Sequence, residues 1–255
     1  MKKFLYSLFI FLSITNFLHA EDKNPEVGIV EKLGNQIPMD LTFTADDGTQ
    51  FQLKDVIDKP TVLSLVFYHC TSICSPLLGG LVDVVEKTDL VPGKDYQLLT
   101  IGFDHKETFH NAKSWKDQHL KLLQKKIPSN SWIYTAGDSV SIRKLTDAVG
   151  FYFKSDGKDG YIHGASILIL TPTGKISHYI FGTEFNPVDF KTAILAAQEG
   201  IELPTIAKVL KFCFSYDVKS RRYVLNITTV IGLIMLVSAG IFLVVLITKK
   251  RKKTT

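Results

Sequence analysis

The sequence predicts a mixed α/β domain set between two hydrophobic ends, and three observations carry that expectation. A β-branched apolar run, Val62-Leu63-Ser64-Leu65-Val66-Phe67, stops at His69-Cys70-Thr71-Ser72-Ile73-Cys74 and is followed at once by a helical pattern. A second apolar run, Tyr96 to Phe103, also leads into a helical pattern, so strand and helix alternate as they do around a parallel sheet. An uncharged stretch from Val224 to Ile247 stands directly ahead of five cations.

The two ends are separated from the fold first. Met1-Lys2-Lys3, the apolar stretch Phe4 to Leu18, and Ala20 ahead of Glu21-Asp22 have the layout of a secretory signal over residues 1–20. That apolar stretch is short for a span, and no cysteine follows it to suggest lipoprotein processing. Residues 224–247 are long enough for one transmembrane helix. Lys249-Lys250-Arg251-Lys252-Lys253, the basic tail of 248–255, marks the cytoplasmic side, against Lys219, Arg221 and Arg222 on the other. The net charge of +5 belongs to these ends: seven of the 30 basic residues lie there, leaving 23 against 25 acidic residues between Glu21 and Tyr223. A slightly acidic domain is not a nucleic-acid-binding surface.

Residues 21–40 are polar, with Pro25 and Pro38, and read as a linker into a domain over 41–200. Leu41 and Phe43, then Phe51 and Leu53, alternate around Asp46-Asp47-Gly48 and predict an N-terminal hairpin. The strand Thr61 to Tyr68 follows, then a helix from Pro76 to about Leu90 with Leu77, Leu78, Leu81, Val82, Val84 and Val85 on its apolar stripe. After the strand Tyr96 to Phe103, a helix beginning near Lys106 carries Trp115, Leu120, Leu122 and Leu123. A shorter strand at Ser131 to Thr135, a helix from Ser139 to Val149 closed by Gly150, a second hairpin of Ser166–Leu170 with Ile176–Phe181, and a last helix from Pro187 to Glu199 complete the domain. This is the order of a thioredoxin-like α/β fold with an N-terminal addition, followed by a juxtamembrane segment at 201–223.

The chemistry centres on the cysteine pair. Thiols at a helix opening meet unpaired N–H groups and the positive end of the helix dipole, which favours thiolate. Four apart, Cys70 and Cys74 would share a helix face and could close a disulfide or converge on one atom. The other cysteine, Cys213, is distant, so a four-ligand zinc site is poorly supported, whereas two thiolates and an imidazole suit Cu(I). The candidate imidazole is His163, because the loop before the second hairpin lies beside the carboxyl end of the first central strand. His69 is its rival, expected to point to the opposite face unless the strand has already ended. His105, His110, His119 and His178 read as surface residues.

Cys70-Thr71-Ser72-Ile73-Cys74 after a buried strand, Asp104 after the next, and His163 ahead of Ile167-Leu168-Ile169-Leu170-Thr171-Pro172-Thr173-Gly174-Lys175-Ile176 resemble the Sco/SenC family of thioredoxin-fold copper proteins. The resemblance runs over most of Leu41 to Gly200. It implies copper held by Cys70, Cys74 and His163, a redox-active pair in Cys70 and Cys74, and Asp104 as a support behind the ligands, although Asp104 reads equally as a helix cap. It further implies a role in assembling the binuclear copper centre of cytochrome c oxidase. Its partners would be the copper-bearing subunit and a thiol reductant or copper donor, on the periplasmic side of a bacterial inner membrane. One departure stands out: the commonest pattern has proline directly after the second cysteine, and here Ser75 precedes Pro76.

The enzymatic alternative is a thiol:disulfide oxidoreductase with Cys70 as nucleophile and Cys74 as resolving thiol. Thioredoxin-type enzymes place a cis-proline ahead of the strand facing the dithiol, where this chain has His163-Gly164-Ala165. A peroxiredoxin-type peroxidase is weaker, since Phe67-Tyr68-His69 precedes Cys70 in place of that family's proline and threonine.

Overall fold

A computed structural model describes residues 25–158 and 160–203, the backbone of 214–217 and 222–225, and Ser238. The expected signal at 1–20, Cys213 and the basic tail lie outside the described residues. In chain order the elements are β1 (Gly28–Ile29), β2 (Thr42–Ala45), β3 (Gln50–Gln52), α1 (Leu53–Val56), β4 (Thr61–Val66), α2 (Cys74–Lys87), β5 (Gln97–Gly102) and α3 (Phe109–Leu122). Then come β6 (Trp132–Ala136), α4 (Ser139–Ala148), β7 (Phe151–Tyr152), β8 (Lys154–Ser155), β9 (Tyr161–Ile162), β10 (Ser166–Leu170), β11 (Ile176–Phe181) and α5 (Pro187–Gln198). A hairpin of β12 (Phe214–Asp217) and β13 (Arg222–Leu225) follows.

Seven strands form one sheet in the order β11-β10-β4-β5-β6-β2-β3. β4, β5 and β6 run parallel, and every residue of β4 and β5 is buried, which is why both read as unbroken apolar runs. Ser64, Thr100 and Trp132 satisfy one another inside this core: the two hydroxyls are 2.8 Å apart and the indole N–H donates to Thr100 Oγ1 at 2.9 Å. β10 is antiparallel to β4, with Ile167 opposite Ser64 and Leu170 opposite Thr61. The loop leading into β10 therefore lies at the carboxyl end of β4, as the order of elements predicted. This parallel βαβ centre flanked by an antiparallel hairpin is a thioredoxin-like sheet, extended beyond β6 by the N-terminal hairpin.

α2 buries Cys74 and the whole predicted stripe from Leu77 to Val85, each large side chain contributing about 1.5–3 kcal/mol. Gly80 sits where a Cβ would stand 1.8 Å from the Thr183 carbonyl oxygen, so the loop between β11 and α5 can lie directly on the helix.

Four expectations are corrected. The residues read as a linker are built into the domain: Gly28 and Ile29 pair with Tyr152 and Phe151, the Val30 N–H donates to the Gly150 carbonyl at 2.8 Å, and Ile37 is in the core. Composition misled because this segment is held mainly by backbone hydrogen bonds. Next, α3 starts at Phe109, capped by Thr108 and Asn111, not at Lys106, so Asp104 caps no helix. The packed face of α3 is Ala112, Lys116 and His119, while Leu122 is 61% exposed. Lys116 can face inward because its ammonium meets Asp46 at 2.9 Å, and His119 because its Nδ1 bonds the Trp115 carbonyl at 2.7 Å. Last, Val224 and Leu225 pair with Ser215 and Phe214 in a hairpin, so a helix cannot begin at Val224. Apart from these two residues and Ser238, the expected span lies outside the described residues. Among the described residues no helix is long and apolar enough to cross a membrane.

Candidate metal centre

β4 ends at Val66 and the chain turns before α2, the Cys70 N–H donating to the Phe67 carbonyl at 3.0 Å. Cys70 thus lies in the turn and Cys74 is the first residue of the helix, where the four-residue spacing had placed both on one helical face. The turn folds Cys70 back over Cys74, and both are free thiols. Cys74 is fully buried, with its Sγ accepting the Phe67 N–H at 3.3 Å and standing 3.6 Å from His163 Nε2. His163 Nδ1 is 2.8 Å from the Gly164 carbonyl oxygen. A carbonyl only accepts, so Nδ1 carries the proton and Nε2 offers its lone pair toward the thiol. Cys70 Sγ, Cys74 Sγ and His163 Nε2 come from two distant parts of the chain, and the ligand atoms of these residues all lie within 4.8 Å of one another.

The two thiols are electrostatically unlike. Burial acts to raise Cys70, but hydrogen bonds from the Ser72 hydroxyl, the Cys74 and Ser72 backbone and the Cys74 thiol outweigh it and bring the group down to about 6. Cys70 is therefore a thiolate at neutral pH. Burial dominates at Cys74 and pushes it well up, helped by the neighbouring charges of Cys70 and Glu107 and opposed only by the Phe67 N–H.

His163 is walled by aromatics. Phe103 meets it edge-on with ring centres 5.1 Å apart, Phe151 lies at 5.9 Å, and Phe103 is itself held by Phe153 and Tyr161. These rings pack against one face of the imidazole. Asp104 is buried beside this wall, accepting the Lys106 N–H at 3.0 Å and hydrogen-bonding the Tyr161 side chain. It braces the wall through Tyr161. His105 and His110 are peripheral as expected; His119 is buried in the core, and half-buried His178 bonds the Leu203 carbonyl.

Sequence reasoning missed Glu107. Its carboxyl is fully enclosed: Oε1 accepts the His69 N–H at 2.9 Å and lies 3.0 Å from His69 Nδ1, while buried Oε2 has no partner. Burial chiefly raises this group, to about 8, with the charges of Asp104 and Cys70 adding to the rise and the His69 and Tyr68 N–H groups opposing it. Asp104 and Glu107 both follow β5, and only the turn between them decides how each carboxyl points. His69 stays on the cysteine side because the strand has already ended. A cleft of about 280 Å³ borders this pair, lined by Phe67, His69, Asp104, Glu107 and Tyr161 among others. A larger one of about 730 Å³ runs along the outer face of α2 and holds neither thiol nor imidazole.

A thioredoxin-type sheet with an ionised thiol, a buried thiol and an imidazole around one point defines a protein built for soft-metal or thiol–disulfide chemistry. No family model matches the chain. It is 24% identical over 154 residues to the SCO1 protein homolog of Bacillus subtilis (strain 168), covering 58% of this chain and 76% of that protein. A solved structure from Aquifex aeolicus VF5, provisionally described as an electron transfer protein, is 31% identical, with a TM-score of 0.60 over 66% of this chain and 95% of that one. Arabidopsis thaliana ScoI, solved with copper bound, shares the fold at 17% identity and a TM-score of 0.52, over 66% of this chain and 99% of that one. Over its thioredoxin-like domain the chain is thus similar to Sco proteins.

Proposed function

We propose that this chain is a copper chaperone of cytochrome c oxidase assembly: Cys70, Cys74 and His163 hold Cu(I), which passes by ligand exchange to the copper-bearing subunit of the oxidase. The observation that carries this reading is the convergence of two sulfurs and one imidazole lone pair within 4.8 Å, a donor set that suits a soft ion accepting low coordination numbers. Cys70 is already ionised at neutral pH, and Cys74 yields its proton as metal replaces it. Gly164 holds the ring of His163 in the ligating tautomer. Similarity to the Bacillus Sco homolog and the copper named for the Arabidopsis protein support the same cargo. In this reading the signal at 1–20 exports the domain, a span within 224–247 tethers it to the inner membrane, and the site works on the periplasmic face. There it depends on a reductant to keep both sulfurs as thiols.

The test is anaerobic competition for Cu(I) between a chromophoric chelator and the reduced chain, in wild type and in Cys70→Ala, Cys74→Ala and His163→Ala. Each substitution is expected to abolish tight binding. Wild-type affinity in His163→Ala, together with strong disulfide reductase activity, would overturn the reading.

The unlike thiols favour one second reading, a thiol:disulfide oxidoreductase working on the oxidase subunit's cysteines. The Cys70 thiolate attacks the substrate disulfide and expels one substrate thiolate, which takes a proton. Cys74, giving its proton to His163 Nε2 at 3.6 Å, then displaces the second sulfur; the substrate leaves as a dithiol and the chain as the Cys70–Cys74 disulfide.

A further inference from the structure

Copper held as proposed above needs a way out. Cys74 is fully buried and His163 packs against Phe103 and Phe151, whereas Cys70 lies half-exposed in its turn, where an incoming ligand can reach it. His69, the residue before Cys70, has a side chain 62% exposed and lines the adjoining cleft. Glu107 Oε1 already accepts the His69 N–H, so it faces the ring as an acceptor and the proton of the imidazole sits on Nδ1. Nε2 is left with its lone pair free to bind. A buried carboxyl oxygen accepting from one imidazole nitrogen is how ligating histidines are commonly oriented, yet this pair stands outside the Cys70, Cys74 and His163 cluster. The other carboxyl oxygen of Glu107, Oε2, is buried with no hydrogen-bond partner.

We propose that His69, held by Glu107, is a transfer ligand that takes copper on its way between the buried site and a partner. The inference rests on the copper-chaperone reading. In the step, Cys70 keeps its bond to Cu(I), a Cu–Nε2 bond to His69 forms, and the Cu–Nε2 bond to His163 breaks. The Cys74 sulfur is then displaced by a thiolate or imidazole of the partner and recovers a proton from solvent. Copper stays Cu(I), no electron moves, and the Nδ1 proton remains between His69 and Glu107. Cys70 is loosely held for such a shift: its turn carries no regular structure, and its sulfur has weak bonds from Ser72 at 3.4 and 3.5 Å besides its contact with Cys74.

The test uses the reduced, Cu(I)-loaded full chain, with bathocuproine disulfonate as the accepting probe, and measures equilibrium affinity and transfer rate separately. His69→Phe keeps a ring beside Phe67 and is expected to hold copper within about threefold of wild type while transferring it at least about tenfold more slowly. Glu107→Ala is expected to slow transfer likewise. Glu107→Gln, whose amide oxygen still accepts both bonds, is expected to restore it. Wild-type transfer rates in His69→Phe overturn the proposal, as does an affinity loss matching that of His163→Ala, which would make His69 a resident ligand. Equal rates in Glu107→Ala and Glu107→Gln remove the positioning role of Glu107. Failure of the wild-type chain to bind Cu(I) overturns the chaperone reading and this proposal together, whereas wild-type binding with unaltered transfer in His69→Phe overturns this one alone.

Discussion

The thiol wall and the imidazole wall of the centre are built on opposite plans. On the thiol side, Cys70 and its turn stand half-open, and the sulfur is ionised by short-range hydrogen bonds from Ser72 and Cys74. On the imidazole side, His163 is fixed by a backbone carbonyl and packed among Phe103, Phe151 and their neighbours. Cys74 belongs to the rigid half, since helix α2 and the Phe67 N–H hold it in place. In the chaperone reading proposed above, the contrast divides retention from exchange: the fixed ligands would set affinity, and the loosely held one would set how fast the cargo is passed on.

The largest expected effect tests the rigid wall. His163→Ala should weaken Cu(I) binding by at least about 100-fold, more than is usual for loss of a supporting residue behind a ligand, as read by chelator competition. The next separates the thiols. At pH 7 a thiol near 6 is about 90% ionised while one held above its ordinary value near 8.5 is under about 3%, so iodoacetamide should label Cys70 at least about 30-fold faster than Cys74. Cys70 labelling should fall as pH drops through about 6, because protonation removes the thiolate; a profile centred near 8.5 would erase the contrast. Gly80→Ala should then cost about 1–3 kcal/mol in chemical denaturation, since the added methyl collides with the Thr183 carbonyl and pushes α2 from its seat. Smallest of all, Asp104→Asn should change copper affinity by less than about threefold. Its contacts run to Lys106 and Tyr161, and an amide oxygen can still accept the Lys106 hydrogen bond.

Much of the site was legible because its parts are local signals. The buried run ending in Cys70 and Cys74, and the strand pair after His163, name both walls, and the order of elements brings them together. The face of α3 was not legible, because Lys116 and His119 pack inward only once Asp46 and the Trp115 carbonyl are in position to receive them. The role of residues 25–40 was hidden for a similar reason, since their partners, Gly150 and Tyr152, lie more than a hundred residues away.

By itself, then, the sequence determined the alternation of strand and helix, the apolar stripe of α2 and the candidate soft donors, because periodicity and residue chemistry are properties of short segments. Tertiary structure alone decided that Cys70 lies in a turn and Cys74 on a helix, that one thiol ionises while the other does not, and that Glu107 rather than Asp104 turns to His69. Those outcomes depend on which backbone N–H groups and which buried surfaces meet each side chain, and only the folded sheet brings them within hydrogen-bonding range.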